Sequence, residues 1–171
     1  DLGGGEREGL ITYMRTDSVT LSNRALEEAE KVIKDKYGER YHHRRQYSTK
    51  SKMAQEAHEA IRPTHLSRTP EQAAKYISGD DLKLYRLIWN RFVACQMTPA
   101  EFDGTTVLLA RSDKPTGAVF KATGRVLVFD GFYKVAGAPS AEDEQTLPAF
   151  TQGDVVSPFF LASTQKFSSP P

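Results

Sequence analysis

Gly9-Leu10-Ile11-Thr12-Tyr13-Met14-Arg15-Thr16-Asp17-Ser18 passes abruptly from an apolar, β-prone run to a cluster of hydroxyl, guanidinium and carboxylate groups. Leu10 to Met14 reads as a short strand, because Leu, Ile, Thr, Tyr and Met suit a half-buried pleated surface. If it is extended, Tyr13 and Arg15 share a face, since side chains alternate along a strand and residues two apart lie about 7 Å from each other. A phenol beside a guanidinium has two readings. In one, the ring fills a core and the Arg sits at its rim with its charge in water. In the other, the phenol is a nucleophile. Its ordinary pKa of about 10 makes it weak at neutral pH unless a partner draws charge from the electrophile, and Arg, which forks onto phosphate oxygens, suits attack on a phosphodiester. The residues alone leave both open.

Downstream, Ser22 is placed to cap a helix running to about Tyr37. Leu21, Ala25, Ala29, Val32, Ile33 and Tyr37 recur at helical spacing, and Gly38 stops the run. Ala54 to Pro63 reads as a short helix ended by its proline, with His58 and Arg62 four apart on one face. Thr69-Pro70-Glu71-Gln72 carries the elements of a capping box with Pro at the first helical position, so a helix to Ile77 follows. Gly79-Asp80-Asp81 opens a longer helix. Its stripe of Leu84, Tyr85, Ile88, Trp89, Phe92 and Cys95 reads as core, with Trp89 and Phe92 as anchors. After Thr98-Pro99 the pattern turns to β. Thr105–Ala110, Val119–Ala122, Val126–Phe129 and Val155–Leu161 are β-branched or aromatic runs between Gly-containing turns, and 136–145 reads as an exposed acidic connection. The expected architecture is α+β: a mainly helical domain over 1–97 bearing the Tyr13 strand, then a partial antiparallel β module over 98–171.

The 171 residues are 39% hydrophobic and 26% charged, enough for one good core or two small ones. No apolar run nears the ~20 residues that span a bilayer, and no signal segment opens the chain. One cysteine, Cys95, excludes an intrachain disulfide and fits a reducing compartment, so the cytoplasm is the expected location. The net charge of +1 is unevenly spread: residues 1–97 hold 17 Lys and Arg against 14 Asp and Glu, residues 98–171 hold 6 against 8. Arg40, Arg44, Arg45, Lys50 and Lys52, with Tyr41, His42, His43 and Tyr47 among them and no acid, form a basic patch that is either a nucleic-acid contact or a solvated linker. His58-Glu59 suggests a zinc protease until the HExxH pattern meets Arg62 where the second His belongs. His58, His65 and Cys95 lack structural-zinc spacing as well, and no zinc is expected.

Three separated stretches resemble the central region of bacterial type IA DNA topoisomerases: Gly9 to Ser18, Gln55-Glu56-Ala57-His58-Glu59-Ala60-Ile61-Arg62-Pro63-Thr64, and Leu87-Ile88-Trp89-Asn90-Arg91-Phe92-Val93-Ala94-Cys95-Gln96-Met97. The first two are specific signatures, and the resemblance extends over essentially the whole chain. It implies that Tyr13 attacks one DNA strand, stays joined to the 5′-phosphate and frees a 3′-hydroxyl. Arg15 would hold the scissile phosphate and His58 would lie beside the cleaved strand. Thr16, Asp17, Ser18 and Arg62 would support the site or contact DNA. One phosphodiester replaces another of similar energy, so relaxation of negative supercoils would need no ATP. The Mg²⁺ of the family belongs to a TOPRIM domain whose Asp-x-Asp cluster has no counterpart in this sequence. The chain is therefore expected to be a fragment, inactive alone, whose partners are single-stranded DNA and the absent TOPRIM and DNA-gripping domains. The alternative is a single-stranded DNA-binding module in which Tyr13 only stacks on a base.

Overall fold

A computed structural model describes residues 8–47, 58–111, 113, 117, 119–138, 146–157, 164, 165 and 167. They form α1 (Asn23–Tyr37), a 3-10 turn (Glu39–Tyr41), α2 (Pro70–Ala73), α3 (Gly79–Cys95), β1 (Glu101–Ala110), β2 (Val119–Phe129) and α4 (Tyr133–Ala136). The class is α+β, with β1 and β2 paired as a two-stranded antiparallel sheet. The chain divides between two compact units, Asp1–Asp103 with Val126–Glu144 and Gly104–Arg125 with Gln145–Pro171. Among the described residues no helix is long and apolar enough to cross a membrane.

α1 begins and ends where its caps require. The Ser22 hydroxyl accepts from the Ala25 N–H at 3.3 Å, and Gly38, at φ 100°, donates its N–H to the Lys34 carbonyl at 3.0 Å. Lys34 also bridges Glu30 and Glu39 at 2.9 and 3.0 Å. Ala25, Ala29 and Ile33 form the buried stripe of α1. They pack into one core with Ala73 of α2, Tyr85, Trp89, Phe92 and Val93 of α3, and the loop residues Leu66 and Met97. The two large polar aromatics of that core are satisfied. Trp89 donates to the Leu66 carbonyl at 3.0 Å and Tyr85 to the Arg68 carbonyl at 2.6 Å. The segment after the core is tied to it through Gly131, whose φ of 49° and close approach to Thr98 and Pro99 admit no side chain: a Cβ would lie 2.4 Å from the Pro99 carbonyl oxygen.

Several sequence expectations meet corrections. Leu10 to Met14 is not a strand but an irregular segment with a single bridge, Ile11 to Pro63. Its backbone bonds go to another loop rather than to a continuous ladder. The described part of the expected 54–63 helix, 58–63, is non-helical, because its N–H groups are taken by distant acceptors; residues 54–57 lie outside the described residues. The capping box at Thr69 forms, with the Gln72 side chain on the Thr69 N–H at 2.9 Å, but the α-helix stops at Ala73 and a turn carries the chain to Ile77. Gly124 does not separate two strands, since β2 runs through it. Leu84 of the expected core stripe is exposed. Residues 155–157 carry no strand, and the remainder of that run, like 139–145 of the acidic connection, lies outside the described residues.

Candidate active site

Two loops, one on either side of α1 in sequence, are stitched together by their main chains. The Thr12 N–H donates to the Arg62 carbonyl at 2.9 Å, the Thr64 N–H to the Leu10 carbonyl at 3.0 Å, and the Ala60 N–H to the Thr20 carbonyl at 2.8 Å. The Thr12 hydroxyl completes the seam. It donates to the Ala60 carbonyl at 2.8 Å and accepts from the Arg62 N–H at 3.0 Å, while the Thr64 hydroxyl reaches the Gly9 carbonyl at 2.6 Å. Loop backbone is satisfied by loop backbone, and the residue following Thr12 is free to face outward.

That residue is Tyr13, 57% exposed, with the His58 ring against it at 5.3 Å between centroids and 84° between planes. The buried-ring reading of Tyr13 therefore does not hold. Arg15 Nε lies 2.8 Å from Asp17 Oδ2, Asp17 Oδ1 lies 2.8 Å from His58 Nε2, and His58 Nδ1 lies 2.9 Å from the Glu59 carbonyl oxygen. Partial desolvation opposes ionisation of Asp17. The His58 hydrogen bond and the Arg15 charge outweigh it and hold the carboxyl below its ordinary range. A neutral imidazole has one N–H and can serve one of its two acceptors; the protonated ring serves both. The arrangement is thus a phenol edged by a ring whose contacts favour the cation, with a guanidinium tethered nearby.

Arg62 is oriented differently from the sequence expectation of a face shared with His58. Its Nε pairs with Glu59 Oε2 at 2.5 Å and a terminal nitrogen donates to the Pro63 carbonyl at 2.9 Å, with the side chain 13% exposed. Burial acts to raise the Glu59 carboxyl, but hydrogen bonds from Arg62 and Ser22 bring it below the usual range. Ser18 is buried and its hydroxyl accepts from the Thr20 N–H at 3.3 Å, whereas Thr16 is exposed. Thr12 and Glu59 went unassigned in the sequence. Nothing in their spacing pairs positions some 50 residues apart; the one available signal was that each adjoins a singled-out residue, Tyr13 and His58.

Among the described residues no group of three or more His, Cys, Asp or Glu side chains is placed to hold a metal ion. Asp17 and Glu59 are each engaged by a cation, so these residues do not fit a Mg²⁺ site.

Residues 6–171 match the family described as DNA topoisomerase. The chain is 47% identical over 165 residues to DNA topoisomerase 1 of Campylobacter jejuni, a match covering 95% of this chain and 23% of that protein. It is 42% identical over 174 residues to the Rickettsia felis enzyme of the same name (98% and 22%) and 44% identical over 166 residues to that of Salmonella typhimurium (95% and 18%). Among solved structures, full-length topoisomerase I of Thermotoga maritima superposes with a TM-score of 0.68 at 40% identity, over 84% of this chain and 22% of that one. The chain thus spans about a fifth of the length of these relatives, and the two loops that present Tyr13 and His58 lie inside the matched region. On this evidence the chain belongs to the bacterial type IA DNA topoisomerase family.

Proposed function

We propose that this chain supplies the nucleophile of a type IA topoisomerase reaction, with Tyr13 attacking a phosphodiester of single-stranded DNA. The observation that carries the reading is the exposed Tyr13 phenol set edge-on against His58, which is linked through Asp17 to Arg15. The Tyr13 oxygen forms a bond to phosphorus as the bond to the 3′-oxygen breaks, leaving a 5′-phosphotyrosine and a free 3′-hydroxyl. Arg15 takes the phosphate oxygens as charge develops, exchanging part of its contact with Asp17 for the substrate. His58 donates toward the same phosphate or holds Asp17 in place. Thr16 and Asp17 contact the strand, while Ser18 and Arg62 support the loops.

The reverse attack by the 3′-hydroxyl reseals the strand without ATP, since the two esters are of similar kind, and supercoiling strain drives net relaxation. In this reading residues 1–97 are the helical tyrosine-bearing domain and 98–171 part of the arch. Mg²⁺ is bound in a TOPRIM domain outside this chain, so no step here runs through it. The complete enzyme works in the cytoplasm with single-stranded DNA regions as substrate. The test is trapping on a single-stranded oligonucleotide by an otherwise complete enzyme. Tyr13→Phe abolishes the covalent adduct; an adduct of undiminished yield refutes the assignment. It also separates this reading from a binding module in which Tyr13 only stacks, because stacking leaves no covalent bond.

A further inference from the structure

Six described arginines, Arg15, Arg40, Arg62, Arg68, Arg86 and Arg111, are each paired with a carboxylate. Arg45 and Arg91 have no carboxylate partner among the described residues, and both line a pocket of about 250 Å³ with Tyr47, Cys95, Pro99 and Phe132. Part of this pocket comes from the basic patch noted in the sequence, but the patch does not act as one surface. Arg40 pairs with Glu101 and stacks over Phe129 at 3.8 Å, Arg44 donates to Asn23, and Lys50 and Lys52 lie outside the described residues.

The pocket is built rather than incidental. Arg45 donates from one terminal nitrogen to the carbonyls of Cys95 and Met97 at 3.1 and 2.6 Å, and the Tyr47 hydroxyl donates to the Cys95 carbonyl at 3.2 Å. These donors satisfy carbonyls at and just beyond the end of α3, which would otherwise repel an anion. Gln96, wholly buried, clamps the Arg45 backbone from both sides, accepting its N–H at 2.9 Å and donating to its carbonyl at 3.0 Å. One guanidinium is therefore held with donors to spare, and a second, unpaired one faces the same space beside two aromatic rings. Cys95 is not a reactive member of the set, since burial pushes its thiol up.

We propose that this pocket is a second contact for single-stranded DNA, distinct from Tyr13, with a backbone phosphate between Arg45 and Arg91 and a base against Tyr47 or Phe132. The site rests on the proposed function for its ligand class. Two guanidiniums and an aromatic wall are the groups by which single strands are held without sequence preference.

The test uses this chain and a short fluorescein-labelled oligothymidylate, with affinity measured by anisotropy over a range of salt concentrations. Arg91→Gln, which disturbs no printed protein hydrogen bond, makes the log–log salt slope shallower by about 0.7, the value of one lost phosphate contact on a single strand, and adding Arg45→Gln doubles the change. Lys75→Gln, an exposed charge elsewhere, leaves the slope unchanged. Equal slopes for Arg91→Gln and the unsubstituted chain, an equal drop for Lys75→Gln, or no binding by the unsubstituted chain each overturn the site. Adduct trapping through Tyr13 is scored separately: unchanged slopes with Tyr13-dependent adducts sink this site alone, whereas altered slopes with Tyr13-independent adducts uphold it as a DNA contact and sink the nucleophile.

Discussion

Asp17 serves two cations at once, and its titration is the most direct probe of that arrangement. Its folded-state carboxyl is held below the unfolded value because His58 and Arg15 outweigh desolvation. The sign is that of a depressed acid: the stabilising contribution is complete above the unfolded pKa of about 3.9 and disappears as pH falls through the lower folded value. His58→Ala removes the largest favourable contact, so the Asp17 midpoint moves up toward the ordinary carboxylate range; carbon NMR of the side chain reads the shift. A midpoint unmoved by that substitution would show that Asp17 owes nothing to the ring. At the neighbouring position, Thr12→Val strips one hydroxyl from two backbone partners, leaving the Ala60 carbonyl and the Arg62 N–H short of a bond. About 1–3 kcal/mol of stability is lost for each part-buried group left unpaired, measured by urea unfolding.

At the level of elements, conformation and space can be separated at two glycines. Gly38 ends α1 at φ 100° with nothing within 4 Å of where a Cβ would sit, whereas Gly131 combines φ 49° with a clash against the Thr98 and Pro99 carbonyls. Gly38→Ala therefore costs backbone strain of about 1 kcal/mol, and Gly131→Ala costs that strain plus displacement of the segment that follows β2, so its loss is the larger. Chemical denaturation of the two variants side by side checks the order. Element boundaries also divide what was readable in the sequence from what was not. Ser22, Gly38 and the Thr69–Gln72 box act on backbone groups within four residues of themselves, and their helix starts and the α1 stop are where local chemistry puts them. Leu10–Met14 and 58–63 take their bonds from each other across roughly 50 residues, so β-propensity in one and helical spacing in the other described preferences that a non-local partner overrode.

For the molecule as a whole, the core was legible because Tyr85, Trp89 and Phe92 lie on one face of a long amphipathic helix, while the exposure of Tyr13 was not a matter of pattern at all. It depends on Thr12 and the 60–64 loop absorbing the local backbone bonds, which composition does not reveal. The family signatures carried that part of the reading. The chain spans about a fifth of its relatives, and the described acidic side chains near Tyr13 are occupied by cations. The isolated chain is accordingly expected to leave supercoiled plasmid unrelaxed in Mg²⁺ buffer on agarose gels. Relaxation by the purified chain would contradict the assignment of the metal to another part of the enzyme.

The seam between the Tyr13 loop and the His58 loop bears on what happens after the strand is cut. Six hydrogen bonds join them, five ending on residues 9–12 and one on Thr20. Whatever swings Tyr13 aside to open a gate for the passing strand must carry the imidazole, the carboxylate and the guanidinium along with it as one rigid cargo. The severed 5′ end then travels inside its own retinue of charges, and religation requires the return of the 3′ end alone, not the reassembly of the chemistry around the phosphorus.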